Sequence, residues 1–210
     1  MKDTRLFFDL LFAMTEKELR ARYKHTVFGF FWLVANPLLQ MLVIGFVFTF
    51  LLKQPVKNYY LFLFAGLLVW NFFSLSLAKT TPSIVYERSL IKKARFPHAV
   101  IPVSIILSNF IHFLLAFLLY LIPVLFLRTL SWISIPLVLL SFVLLLAFTI
   151  GLSLLTASLN VRFRDVNFFV SALLIVWFYA TPVMYSLTMI PRHLLWLWRF
   201  NPLTSILQLL

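Results

Sequence analysis

Read along its length, the chain alternates long apolar runs with short stretches that hold nearly all of its charge. Five runs, 28–52, 59–77, 100–127, 132–159 and 168–186, can each cross a hydrocarbon core about 30 Å thick, which takes about 20 helical residues. Ahead of them Leu6, Phe7, Leu10, Leu11 and Met14 recur at helical spacing among Lys2, Asp3, Arg5, Asp9, Glu16 and Lys17. That pattern predicts an amphipathic helix over 4–22, within an N-terminal segment 1–27 that lies in the membrane interface or stands as a solvated leader. Between the second and third runs, Thr81-Pro82 reads as a helix start with Thr81 as N-cap, and Phe96-Pro97 as a stop, so a short helix is expected over 82–94. The expected fold class is an all-α, multi-pass membrane protein, a polytopic helical bundle of five spans forming a single domain over 1–210.

Composition agrees with a lipid-embedded chain. The hydrophobic fraction is 63% and the charged fraction 11%, with a mean hydropathy of +1.02, beyond what a soluble domain of this length needs to fill one core. A net charge of +12 would suggest nucleic acid in a soluble protein, but here the charges sit in short connectors and read as topology signals, with no nucleic-acid partner expected. Thirteen Lys and Arg residues fall on one side (Lys2, Arg5, Lys17, Arg20, Arg22, Lys24, Lys79, Arg88, Lys92, Lys93, Arg95, Arg162, Arg164) and five on the other (Lys53, Lys57, Arg128, Arg192, Arg199). The positive-inside rule then puts the N-terminus in the cytoplasm. No continuous apolar core followed by a small-residue cleavage site occupies the first twenty residues, so the N-terminus is expected to be retained.

All six acidic residues, Asp3, Asp9, Glu16, Glu18, Glu87 and Asp165, lie on the inner side. An outer face without a carboxylate argues against a membrane-embedded enzyme using a lipid-linked sugar donor, which needs a base or metal ligand there. His25, His98, His112 and His193 are scattered without metal-site spacing, and the absence of cysteine removes thiolate sites and disulfides. No catalytic or metal residue is therefore assigned. His112, the one histidine within a span, is either a proton relay or a group satisfied by a neighbouring helix. None of the glycines, Gly29, Gly45, Gly66 and Gly151, belongs to a phosphate-cradling GxxxxGK[ST] motif, and no Asp or Glu lies inside a span. If the chain transports, another subunit supplies the energy. Such a subunit could dock on 82–94, where Ile84, Val85, Leu90 and Ile91 give apolar surface and Glu87, Arg88, Lys92 and Lys93 give charge; the other reading of that helix is a basic anchor for the loop.

Two features bear on helix shape and packing. Pro37 has no amide hydrogen for the carbonyl of Leu33, so the first span can kink at Asn36-Pro37, with Asn36 or Gln40 satisfying or lining the exposed groups; a kinked packing helix with no transport role is the alternative. Ala147, Gly151, Ser153, Ala157 and Ser158 give the fourth span small positions for close helix approach.

Several patches, in order, resemble a known family. Arg22-Tyr23-Lys24, Gly29, Trp32 and Asn36-Pro37-Leu38 look like the opening of the permease subunits of type-2 ABC exporters for polysaccharides such as O-antigen, capsule and teichoic acid. Leu90-Ile91-Lys92-Lys93 followed by Phe96-Pro97 and Ile101-Pro102 is similar to the family's next signature, and Arg162-Phe163-Arg164-Asp165, Thr181-Pro182-Val183-Met184-Tyr185 and Asn201-Pro202-Leu203-Thr204 follow. The resemblance implies a permease of the bacterial plasma (inner) membrane that pairs with a second copy of itself and with two separate ATPase subunits. ATP and Mg would belong to those partners, with no cofactor in this chain. The substrate implied is a polyprenyl-diphosphate-linked glycan moved outward through the dimer interface. The N-terminal helix would lie at the inner interface, 82–94 would touch the ATPase, and the Asn-Pro positions would bend the chain near the pathway. Family members have a sixth span, so a chain stopping at Leu210 is expected to be truncated or a fragment.

For such a substrate, sugar C–H faces lie well on aromatic rings, and a diphosphate seeks guanidinium or ammonium. Candidate glycan contacts are Trp70, Phe72, Phe73, Trp177, Phe178, Tyr179 and Tyr185, each of which could equally face lipid or form an interfacial belt. Candidate diphosphate contacts are Arg20, Arg22, Lys24, Arg162 and Arg164, for which positive-inside anchoring is the competing role. The competing functional classes are a permease for a small lipid or drug and a non-transporting membrane scaffold.

Overall fold

The computed structural model describes residues 2–23, 31–51, 58–93, 96–127 and 134–210, and every regular element among them is helical. In chain order these are α1 (Lys2–Tyr23), α2 (Trp32–Phe46) running on into a π turn (Val47–Leu51), α3 (Tyr59–Thr80), α4 (Ser83–Tyr86), α5 (Arg88–Lys93), α6 (Val100–Phe126), α7 (Ser134–Arg162), α8 (Asp165–Ala180), two 3₁₀ turns (Leu187–Met189 and Arg192–Leu194), α9 (Leu195–Arg199) and α10 (Pro202–Gln208). Three helices, Tyr59–Thr80, Val100–Phe126 and Ile135–Arg162, are long and apolar enough to cross a membrane. Val34–Phe50 and Asp165–Ala180 are shorter apolar helices. α7 carries Leu139, Val143, Leu144, Leu155 and Leu159 exposed, the outward apolar surface that lipid covers and water would not.

Local chemistry accounts for the ends of these helices. Asn58 adopts φ 53°, a left-handed conformation that Asn tolerates better than most residues, and its carbonyl accepts the amides of Leu61 and Phe62 to open α3. Asp165 stands in the first turn of α8, where a carboxylate complements the helix dipole. α8 stops at Ala180, earlier than the apolar run to 186 suggests, because Pro182 lacks a donor and disfavours helical backbone at Thr181. Thr181 to Met184 instead turn tightly, with Val183 N bonded to Thr181 O at 2.7 Å. Pro37 lies inside the continuous helix α2.

The segment expected as one helix over 82–94 is divided. α4 ends at Glu87, whose φ of −89° and ψ of 23° leave the helical region, and α5 begins at Arg88. Thr81 is not its cap: Pro82 occupies that position without a side-chain bond, while the Thr81 hydroxyl donates back to Leu77 O at 2.7 Å. A threonine at a helix end can satisfy the carbonyl one turn behind it as readily as cap the next helix.

Two compact units share the long helices. The first gathers α1, α3 from Phe72, α4, α5, α6 as far as His112, α7 from Leu146 and α8 as far as Leu174. Its core joins Leu11 and Met14 of α1 to Val100 and Ile101 of α6, with Phe7, Leu10, Leu90, Ile91 and Phe96 packed around them. The apolar stripe of α1 is thus largely covered by protein, leaving Phe8 and Phe12 exposed. The second unit holds α2, α3 as far as Asn71, α6 from Phe113, α7 as far as Leu145, and α8 from Ile175 to the last helix. Phe113 and Phe117 meet Phe142 edge-on at 5.1 and 4.8 Å between ring centroids, and Tyr120 bridges Phe117 to Phe64.

Candidate functional site

A hydrogen-bonded polar cluster stands out within each unit. In the first unit, Ser76 of α3 and Asn109 and His112 of α6 are buried inside span-length helices, where an unsatisfied polar group is costly. Arg22, in the last turn of α1, answers them. Its guanidinium donates to Asn109 Oδ1 and lies 3.0 Å from His112 Nδ1. Asn109 in turn donates to Ser76 Oγ at 3.0 Å. One basic side chain thereby ties α1 to α6 and, through Asn109, to α3. His112 is met by a neighbouring helix, one of the two roles open from sequence.

The other candidate diphosphate contacts are placed differently. Arg20 pairs with Glu16 one turn back on α1. Arg162, the last residue of α7, and Arg164, between α7 and α8, are exposed, with Arg162 over the Phe163 ring at 5.5 Å. Lys24 lies outside the described residues. Among the proposed coupling residues, Arg88, Lys92 and Lys93 are exposed. Glu87 is held by Lys17 of α1 at 3.0 Å, so α1 and the 82–94 segment are joined by an ion pair as well as by the apolar contacts of Leu90 and Ile91. Tyr86, which the sequence reading did not single out, is 77% exposed beside them.

In the second unit the centre is Asn201. Its Oδ1 accepts from Trp177 Nε1 at 3.0 Å and from Leu203 N at 3.1 Å; its Nδ2 donates to Thr181 Oγ1 at 2.9 Å and to Ala180 O at 3.3 Å. All four hydrogen-bonding positions of the amide are used. Asn201 caps α10, whose first residue is Pro202, and pins it to the end of α8. Tyr185 donates to Tyr179 O and accepts from Trp198 Nε1, both at 2.8 Å. The turn is also fixed from α3: Tyr59 OH donates to Met184 O at 2.7 Å, and Gly66 leaves room for Val183, whose carbonyl oxygen would lie 3.1 Å from an added Cβ.

The candidate glycan contacts divide accordingly. Phe72 and Phe73 belong to the first unit and are enclosed there, Phe72 edge-on to Phe110 at 5.5 Å and Phe73 stacked on Phe148 at 5.7 Å. Trp70, Trp177, Phe178, Tyr179 and Tyr185 belong to the second. Trp70 is buried with its ring 5.2 Å from that of Phe178, and Tyr179 is 64% exposed. Asn36 is exposed on α2 beside the buried Pro37, and Gln40 accepts from Asn71 Nδ2 of α3 at 3.0 Å. Sequence reasoning missed Ser76, Asn109 and the tying role of Asn201; the i, i+3 spacing of Asn109 and His112 within an apolar run was the available signal.

Long apolar helices whose buried polar groups are gathered into hydrogen-bonded clusters define a polytopic α-helical membrane protein. Among the described residues there is no group of side chains suited to hold a metal ion. The chain belongs to the ABC-2 type transporter family, which it matches over residues 9–210. It is therefore a membrane transport subunit that works with an ABC ATPase. It is similar to an O-antigen export system permease protein RfbA of Klebsiella pneumoniae, 38% identical over 205 residues that make up 95% of this chain and 78% of that protein. A protein of the same description from Myxococcus xanthus is 40% identical over 183 residues, 86% of this chain and 70% of the relative.

Proposed function

We propose that this chain is the permease subunit of an ATP-driven exporter that moves a polysaccharide, carried on a polyprenyl diphosphate, from the cytoplasm across the bacterial plasma (inner) membrane. The observation that carries the reading is the similarity, over nearly the whole chain, to relatives described as O-antigen export permeases. Function then requires a second copy of the chain, to complete a pathway, and two ATPase subunits that hold ATP and Mg. With the N-terminus in the cytoplasm, Arg88, Lys92 and Lys93 are exposed for an ATPase, and Glu87 links that surface to α1. Movement at the ATPase would be passed to α1, and through Arg22 to α6.

In the proposed division of labour, Arg162 and Arg164 are the readiest diphosphate contacts because they are exposed. Arg20 and Arg22 already have protein partners, and a lipid diphosphate would compete with them; Lys24 follows Arg22 closely in sequence. Tyr179, Phe178, Trp177 and Tyr185 would offer ring faces to sugar. Trp70, its ring against that of Phe178, supports that surface from within, while Phe72 and Phe73 pack inside the first unit; Asn36-Pro37 would bend the first span.

The test is complementation. In a strain lacking its own O-antigen permease but retaining the ATPase, this gene and its cognate ATPase gene should restore surface polysaccharide. Wild-type membrane levels of the chain with no surface polysaccharide, and with its cognate lipid-linked glycan made in the same cells, would refute the reading.

A further inference from the structure

The first unit contains an open cavity of about 480 Å³, within the roughly 300–1,000 Å³ typical of ligand sites. Its wall is chemically unusual for a membrane protein. Glu18 of α1 and Lys79 of α3 both line it; their charges attract each other, yet among the described residues neither is in a hydrogen bond or a close ion pair. Glu87 lines the same cavity but is engaged by Lys17. The remaining polar lining includes Ser104, fully buried on α6, and Asn167 on α8, and the apolar lining includes Ile105.

Depth is set by helix length. α3 has 22 residues, about 33 Å at a rise of 1.5 Å per residue, so Lys79 in its last turn falls at the level of the lipid headgroups whichever way the chain is oriented. Ser104 and Asn167 lie in the first two turns of α6 and α8, at the corresponding ends of those apolar helices. An anion and a cation within each other's field but out of hydrogen-bonding reach at that depth are bridged by a ligand carrying both signs a few bonds apart, with a hydrocarbon tail continuing along Ile105.

We propose that this cavity holds the headgroup of a zwitterionic phospholipid with a primary ammonium, a phosphatidylethanolamine. Its phosphate accepts from Lys79, and its ammonium donates to Glu18 and to the side-chain oxygen of Asn167. A phosphatidylglycerol headgroup supplies no cation for Glu18. A phosphatidylcholine supplies a cation without N–H donors, so Glu18 and Asn167 go without hydrogen bonds. The occupant would brace the α1 helix against the ends of α3 and α6, a structural lipid distinct from any transported one.

The purified protein, in nanodiscs containing equal parts of dioleoyl phosphatidylethanolamine, phosphatidylglycerol and phosphatidylcholine, is released into native mass spectrometry and its retained lipids counted. The site predicts selective retention of phosphatidylethanolamine. A lost charge-assisted hydrogen bond weakens binding by about tenfold or more: Glu18→Gln should abolish the preference for phosphatidylethanolamine over phosphatidylglycerol, and Lys79→Gln should weaken retention of both. Water-soluble glycerophosphoethanolamine should compete poorly, since it lacks the tails. Equal retention of the three lipids by the unmodified protein overturns the proposal without recourse to any variant, as does an unchanged preference in a monodisperse Glu18→Gln protein or displacement by the soluble headgroup alone.

Discussion

Replacing Arg22 by methionine removes a guanidinium while keeping a side chain of similar reach, and leaves Asn109 Oδ1 and the neighbouring His112 nitrogen without their donor. A hydrogen bond to a charged group contributes about 1.5–3 kcal/mol in general. Interhelical bonds measured in membrane bundles average about 0.6 and reach about 1.7 kcal/mol. Arg22 is only part-buried, which places the loss for Arg22→Met at about 1–3 kcal/mol across these two contacts. Asn109→Leu alone takes from Ser76 Oγ its Asn109 donor and from the arginine one of its acceptors. With both changes together an apolar pair replaces the polar one, and leaving neither partner stranded recovers part of the loss. Reversible denaturation of the four proteins in bicelles gives the double-mutant cycle, with an expected coupling of about 1–1.5 kcal/mol. Losses that simply add, within about 0.3–0.5 kcal/mol, would refute the tie between α1 and α6. A stable double variant that fails to export would assign Arg22 a second role at the substrate.

Three further outcomes follow from the geometry. Asn201→Leu removes four hydrogen bonds, including the acceptor of Trp177 Nε1, so a destabilisation of about 2–4 kcal/mol is expected, read as a lower melting temperature in detergent. Gly66→Val adds volume where Val183 O and Cγ1 already stand 3.1 and 3.2 Å from an added Cβ; overpacking should cost about 1–3 kcal/mol, with Gly66→Ala costing less. Glu87→Gln breaks one part-exposed ion pair and should cost under about 1 kcal/mol in stability, while lowering recovery of the ATPase on co-purification; unchanged recovery and unchanged ATPase stimulation would leave the 82–94 segment as an anchor only.

The long helices were legible because hydrocarbon imposes a length that an apolar run either reaches or does not, and α3, α6 and α7 follow directly from theirs. The division of the 82–94 segment was not, since Glu87 leaves the helical region in a stretch without Gly or Pro and its carboxylate pairs with Lys17, 70 positions away. Nor could the end of α8 be placed by hydropathy alone, because Val183 and Met184 carry apolar character past it; Thr181-Pro182 carried that signal. At the candidate sites, residue types were readable and partners were not. Arg22 was recognisable as a cation near a membrane entry, but only the fold brings Asn109 to it across 87 positions. Asn201-Pro202 was visible as a motif, whereas its bonds to Trp177 and Thr181 depend on how the chain turns after α8.

The central claim is polysaccharide export, and reconstitution tests it most directly. Proteoliposomes carrying this permease, its ATPase and a labelled lipid-linked glycan are given ATP, and the glycan's access to an external glycosidase is followed. ATP-dependent loss of access, absent with a non-hydrolysable analogue, is the predicted result. Unchanged access to the glycan, while a fluorescent phospholipid without a glycan is moved under the same conditions, would contradict it.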